Sequence, residues 1–137
     1  MVRHPDMPEF YIGLMSGTSL DGVDGVLVEF LDDKPFVALH RTNAFTQDLR
    51  AVLLALNAPG DNELHRAALA GNALARVYAH VVAELLAGAG IEAVQVRAIG
   101  AHGQTVRHRP HEFDGDPRRG LAAVGYTLQL NNPALLA

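Results

Sequence analysis

Residues 16 to 24 read Ser16-Gly17-Thr18-Ser19-Leu20-Asp21-Gly22-Val23-Asp24. Gly17 and Gly22 let the backbone turn tightly with its amides pointing inward, and the hydroxyls of Ser16, Thr18 and Ser19 can donate to phosphate oxygens. That is the chemistry of an anion nest. Asp21 and Asp24 supply carboxylates able to hold the waters of a Mg²⁺ bound to nucleotide phosphates. Ser, Gly and Asp are also what ordinary hairpin turns are made of, so composition alone leaves both readings open. A second polar group, His102-Gly103-Gln104-Thr105, offers a ring, an amide and a hydroxyl around one glycine. It suits recognition of sugar hydroxyls, with a plain polar strand end as the competing reading.

Other chemistries fit less well. The single lysine, Lys34, lies in no Gly-Lys-Ser/Thr triplet, which excludes a Walker A loop, and there is no G-x-G-x-x-G. Ser16 and Ser19 lack the G-x-S-x-G elbow, so a Ser-His-Asp hydrolase stands on residue inventory alone. His102, His108 and His111 match no zinc-ligand spacing. Arg107, Arg109, Arg118 and Arg119 are interleaved with Glu112, Asp114 and Asp116, which reads as a solvated loop rather than a phosphate cluster. The absence of cysteine excludes a disulfide scaffold, a thiolate metal site and a cysteine nucleophile. A net charge of -4 argues against nucleic acid as a partner. No apolar run approaches the roughly 20 residues of a membrane helix, and the first residues lack a signal-peptide pattern, so the expectation is a cytoplasmic protein with no membrane partner.

These groups need elements to hold them. At 137 residues and 49% hydrophobic, the chain suits one domain with its own core. Phe10 to Met15 predicts a strand running into the Ser16 loop; Gly25 to Leu31 and Phe36 to Arg41 predict two more around the turn Asp32-Asp33-Lys34-Pro35, together an antiparallel meander. Thr46 caps a helix through Asn57. A longer helix runs from about Glu63 to Ala87, with Asp61 or Asn62 at its start, Gly88 and Gly90 stopping it, and Gly71 marking close packing. Val94 to Ala101 then reads as a buried strand, reached by a helical crossover and therefore parallel to one already in the sheet. It delivers His102 to Thr105 at its C-terminal end, where open sheets place ligands. Val106 to Pro110 and Tyr126 to Leu130 are extended, His111 to Gly125 is an exposed loop, and Asn132-Pro133 opens another helix.

Three segments, Ile12 to Asp24 (IGLMSGTSLDGVD), Ala98 to Thr105 (AIGAHGQT) and Thr127 to Asn132 (TLQLNN), resemble in order the N-terminal portion of the anhydro-N-acetylmuramic acid kinase family. The resemblance implies an enzyme of peptidoglycan recycling with the sugar kinase, heat-shock ATPase and actin type of α/β fold, a ribonuclease H-like mixed sheet. It implies use of ATP and Mg²⁺ to phosphorylate the 6-oxygen of 1,6-anhydro-N-acetylmuramic acid while water opens the ring. On that likeness Gly17, Thr18, Ser19, Leu20, Asp21, Gly22, Val23 and Asp24 form the ATP phosphate loop. His102, Gly103, Gln104 and Thr105 line the sugar side, with Asn131 and Asn132 close by. This chain departs from the family in carrying Asn131 where Gly is usual and in a longer loop from His111 to Gly125. In the family, a strand beyond the helix that begins near Pro133 carries G/A-D-F-R-R-x-D, whose first Asp is the catalytic base, and a second lobe grips adenosine. The expectation is therefore a single incomplete N-terminal lobe over residues 1–137, without turnover of its own. The alternative is a standalone module that binds a muropeptide sugar or a protein. Its partners would be an amino sugar and ATP, with self-association if the strand Val94 to Ala101 is left as an apolar edge.

Overall fold

A computed structural model describes residues 8–111 and 115–137. Strands β1 (Glu9–Ser16), β2 (Gly22–Leu31) and β3 (Lys34–Ala44) form the expected meander. β1 pairs antiparallel with β2 from Glu9↔Phe30 to Ser16↔Val23, and β2 pairs antiparallel with β3. Helices α1 (Gln47–Ala55) and α2 (Glu63–Ala89) follow, and the chain returns as β4 (Val96–Ala101), parallel to β1. The sheet order is β3-β2-β1-β4. A second, two-stranded antiparallel sheet joins β5 (Gln104–Arg109) to β6 (Tyr126–Leu130), and α3 (Pro133–Leu136) ends the described chain.

Strand alternation decides which face is covered. Ile12, Leu14, Val23 and Leu27 are buried, and they pack with Leu74, Tyr78, Val81 and Leu85 of α2 into one core. Gly25 permits this approach, because a Cβ there would run into Val81. A second core gathers Leu20, Leu53, Leu56, Ala70, Val106 and Leu130, so the loop after β1 is anchored among α1, α2, β5 and β6. Each core forms where two amphipathic surfaces can only leave water by meeting one another.

Several expectations need correction. The fourth strand starts at Val96 rather than Val94, because Ala93–Gln95 form a 3-10 turn in which the Glu92 amide donates to Gln95 Oε1 at 2.8 Å. Nor is it buried. Arg97, Ala98, Ile99 and Gly100 are exposed, since β4 is the sheet edge and α2 packs across β2 and β3. Asn62 does not cap α2 with its side chain; it sits at φ 53, and the Glu63 carboxylate accepts from the Gly60 amide at 3.4 Å instead. Gly88 lies within α2, and Gly90, left-handed at φ 66, is what ends it. Arg107 is not in a solvated loop: it lies on β5, its side chain 10% exposed, bound to Glu63 and to the Leu56 carbonyl. The predicted loop from His111 to Gly125 contains a 3-10 turn at Pro117–Arg119, with residues 112–114 outside the described residues. Thr46 caps α1 as expected, its hydroxyl accepting from the Leu49 amide at 3.2 Å. Asn132 does the same for α3 through the Leu135 amide at 3.1 Å, with Pro133 in the first helical turn.

Candidate functional site

After Ser16 the chain makes a tight turn in which the Leu20 amide donates to the Gly17 carbonyl at 3.2 Å. Leu20 occupies the left-handed region at φ 57, a conformation that costs a branched side chain energy and persists because the side chain is held in the second core. Thr18 and Ser19 ride exposed on the turn, and neither their amides nor their hydroxyls have a hydrogen-bond partner among the described residues. The exit is fixed from β3: the Phe45 amide donates to the Asp21 carbonyl at 3.0 Å, and Gly22 passes so near Asn43 that a Cβ would collide with its carbonyl.

The His102–Thr105 segment lies directly behind this turn. The His102 amide donates to the Leu14 carbonyl at 3.1 Å, prolonging the β1–β4 ladder. Gly103 is at φ 80, and a Cβ there would strike the Leu130 carbonyl, so both conformation and space require glycine. Gln104 is fully buried. Its Oε1 accepts from the Ser16 hydroxyl, and its Nε2 donates to the Gly17 carbonyl at 3.1 Å and the Thr105 carbonyl at 3.3 Å. Beneath Gly103 sits Tyr78, fully buried. Burial pushes its phenol up to about 12; the Gly103 backbone pulls weakly the other way, without closing a hydrogen bond of ordinary geometry.

The other candidate residues divide. The Asn131 side chain donates to the Ala101 carbonyl at 3.3 Å and so belongs to the same strand end. Asn132 donates its side-chain amide to Asn72 of α2 at 2.7 Å and accepts from the Leu135 amide of α3, a structural duty. Thr105 is half-buried, its hydroxyl accepting from Gln129 at 3.3 Å, whereas the His102 ring is exposed with Nδ1 3.0 Å from the Gly103 carbonyl. Val23 is a core residue. Asp21 is exposed beside the turn. Asp24 pairs with Met15 and therefore projects from the sheet face opposite Ser16 and Val23. There its carboxylate accepts from the Thr42 hydroxyl at 2.6 Å and lies 3.2 Å from His40 Nε2. The Thr42 hydrogen bond, against slight burial and helped by His40, holds it below the usual carboxylate range.

The Ser16 hydroxyl is thus engaged by Gln104 and not by a histidine, and no Ser–His pair of a hydrolase forms among the described residues. Sequence reasoning did not pair Ser16 with Gln104, which are 88 residues apart and carry no local signal of each other. The grouping of His40 and Thr42 with Asp24 was within reach, since alternation puts both on one face of β3 and the register brings Thr42 opposite Asp24.

A turn with unpartnered donors joining two antiparallel strands, and a parallel crossover strand ending beside it in a polar motif, are the features of a partial sugar kinase-like domain of mixed α/β type. The family model for anhydro-N-acetylmuramic acid kinase matches residues 9–137. The chain belongs to that family. It is 64% identical over 129 residues to an anhydro-N-acetylmuramic acid kinase of Variovorax paradoxus, covering 94% of this chain and 32% of the relative. To that of Albidiferax ferrireducens it is 63% identical, covering 96% and 32%, and to that of Cupriavidus metallidurans 53% identical, covering 100% and 34%. The chain spans about a third of the length of these curated relatives.

Proposed function

We propose that this chain carries the phosphate loop and the adjoining sugar-facing strand end of an ATP-dependent kinase for 1,6-anhydro-N-acetylmuramic acid, acting in peptidoglycan recycling in the cytoplasm. The observation behind this reading is the turn from Gly17 to Leu20, which leaves the Thr18 and Ser19 amides and hydroxyls without partners while fixing the backbone around them. Donors held in place and left unpaired suit an anion. Gly17, Thr18, Ser19, Leu20, Asp21 and Gly22 would surround the phosphates of ATP, with the exposed Asp21 carboxylate available to the waters of Mg²⁺. Val23 and Asp24 would hold the turn from behind. ATP supplies the phosphoryl group, and Mg²⁺ offsets the charge that develops in transfer. His102, Thr105 and Asn131 would meet the sugar.

The chain as it stands is proposed to bind without turning over. A general base needs a carboxylate poised to take a proton. Asp24 is held by Thr42 and His40 below the usual range, which weakens it as a base, and it projects from the sheet face opposite Ser16 and Val23. The lobe is therefore read as incomplete, with catalysis and the adenosine contacts supplied elsewhere. Calorimetric titration of the purified chain with Mg·ATP and with the anhydro sugar tests the binding, and a coupled phosphorylation assay tests turnover. Saturable heat with each ligand and no sugar phosphate is expected. Absence of nucleotide binding overturns the phosphate-loop reading, and product formed by the pure chain overturns the inactivity.

A further inference from the structure

Gln104 stands in the segment read as sugar-facing, yet its own chemistry is fully occupied inside the protein. A glutamine amide offers one carbonyl acceptor and two N–H donors. Here the carbonyl takes the Ser16 hydroxyl, the two donors go to the Gly17 and Thr105 carbonyls, and the side chain is 0% exposed. A sugar hydroxyl could reach it only by displacing one of these bonds.

We infer that Gln104 is a positioning residue for the phosphate-binding turn, and that it sets the direction of the Thr18 amide. The argument is geometric and rests on the phosphate-loop reading above. A trans peptide is planar, so its C=O and N–H point in opposite directions. The Gly17 carbonyl is pinned by two donors, Gln104 Nε2 at 3.1 Å and the Leu20 amide at 3.2 Å, which satisfies both of its lone pairs. The N–H of the same peptide plane belongs to Thr18, and it is thereby aimed away from Gln104 and out of the protein. The bond from Ser16 fixes the start of the turn from the same side chain, and it removes the Ser16 hydroxyl from the set of phosphate donors. Gln104 thus joins the sugar-side segment to the nucleotide-side turn through one rigid amide.

The test uses the 137-residue chain, Mg·ATP as probe, and three variants: Gln104→Leu, which removes every bond; Gln104→Glu, which keeps the acceptor for Ser16 but loses the donor to Gly17; and Ser16→Ala. Losing a buried hydrogen bond that orients a ligand-binding amide is expected to weaken Mg·ATP binding by about tenfold in both Gln104 variants and about threefold in Ser16→Ala. Amide NMR supplies a signature that a merely structural role would not move. In the wild type the Thr18 and Ser19 resonances shift on addition of Mg·ATP; in Gln104→Glu the Thr18 shift is lost while the β1 and β4 resonances stay in place. Should Gln104→Leu fail to fold, the other two variants decide. Wild-type affinity and a wild-type Thr18 shift in folded Gln104→Glu overturn the inference and leave the phosphate loop standing. So does a Gln104 variant that loses the anhydro sugar alone. A wild-type chain that shows no response to Mg·ATP instead defeats the phosphate-loop reading, and this inference with it.

Discussion

Tyr78 is the largest of the fully buried side chains, and its hydroxyl has no hydrogen bond among the described residues. An unsatisfied buried hydroxyl costs about 1–3 kcal/mol, so the ring is retained here for its packing between the sheet and Gly103. Tyr78→Phe keeps that packing and removes the cost. It is expected to stabilise the chain by about 1 kcal/mol in urea denaturation near neutral pH. The alkaline limb should change as well. Because burial raises the folded-state phenol from 10.0 to about 12, the unfolded chain ionises first, so stability is at its full value below pH 10 and falls as the pH rises from there toward 12. The Phe variant should lack that contribution to the loss. A destabilisation on Tyr78→Phe would mean that the hydroxyl holds a real bond, with the Gly103 amide the first group to examine.

Among the elements, α1, α2 and β5 meet at Arg107. Its guanidinium donates to the Leu56 carbonyl at the end of α1, to the Glu63 carboxylate at the start of α2, and to the Val106 carbonyl at 3.1 Å. One planar fork thereby satisfies a helix C-terminus from a largely buried guanidinium and pairs it with the Glu63 carboxylate, which itself keeps 36% of its side chain exposed. Arg107→Ala should cost about 1–2 kcal/mol, since it leaves the Leu56 carbonyl without its donor while the partly exposed Glu63 carboxylate regains water, and Arg107→Lys should recover little because an ammonium cannot span both. Denaturant midpoints of the two variants measure this; a loss under about 0.5 kcal/mol would show the fork to be a surface contact. Nothing in the sequence sets Arg107 apart from Arg109, Arg118 and Arg119, because its burial is created by two helices far away in the chain. Local pattern did reveal the meander of β1 to β3, whose apolar residues alternate, and α2, whose Leu74, Tyr78, Val81 and Leu85 share one stripe. It placed the turn and the His102 segment at strand ends, and the parallel direction of β4 followed from the crossover, whereas its pairing with β1 did not. What it could not supply was the link between them: Ser16 and Gln104 become partners only once β4 has been laid beside β1, and the exposure of β4 depends on where α2 comes to rest.

For the molecule as a whole, the two sheet edges differ in character. β3 forms one edge and defends it: it begins Lys34-Pro35, and its register with β2 shifts at Leu27/Val28, where it bulges. Proline, lysine and a bulge each discourage another strand from docking. β4 forms the other edge and has little such defence. Its sequence VRAIGA has one charge, Arg97, which lies 3.8 Å from Glu9 and so presents little net repulsion. Its remaining side chains are small or apolar, and Ile99 is exposed beside a pocket lined by Pro133 and Leu136. We therefore expect the 137-residue chain to self-associate through β4, with backbone groups pairing across the edge and Ile99 supplying apolar contact. Sedimentation velocity should show a concentration-dependent rise in mass. Ile99→Lys, which places a charge on that edge, should move the midpoint of association to at least tenfold higher concentration with little effect on folding. A wild-type chain that sediments as a single monomer up to its solubility limit would mean that this edge is closed in solution by some other contact, and the proposed pairing through β4 would be wrong.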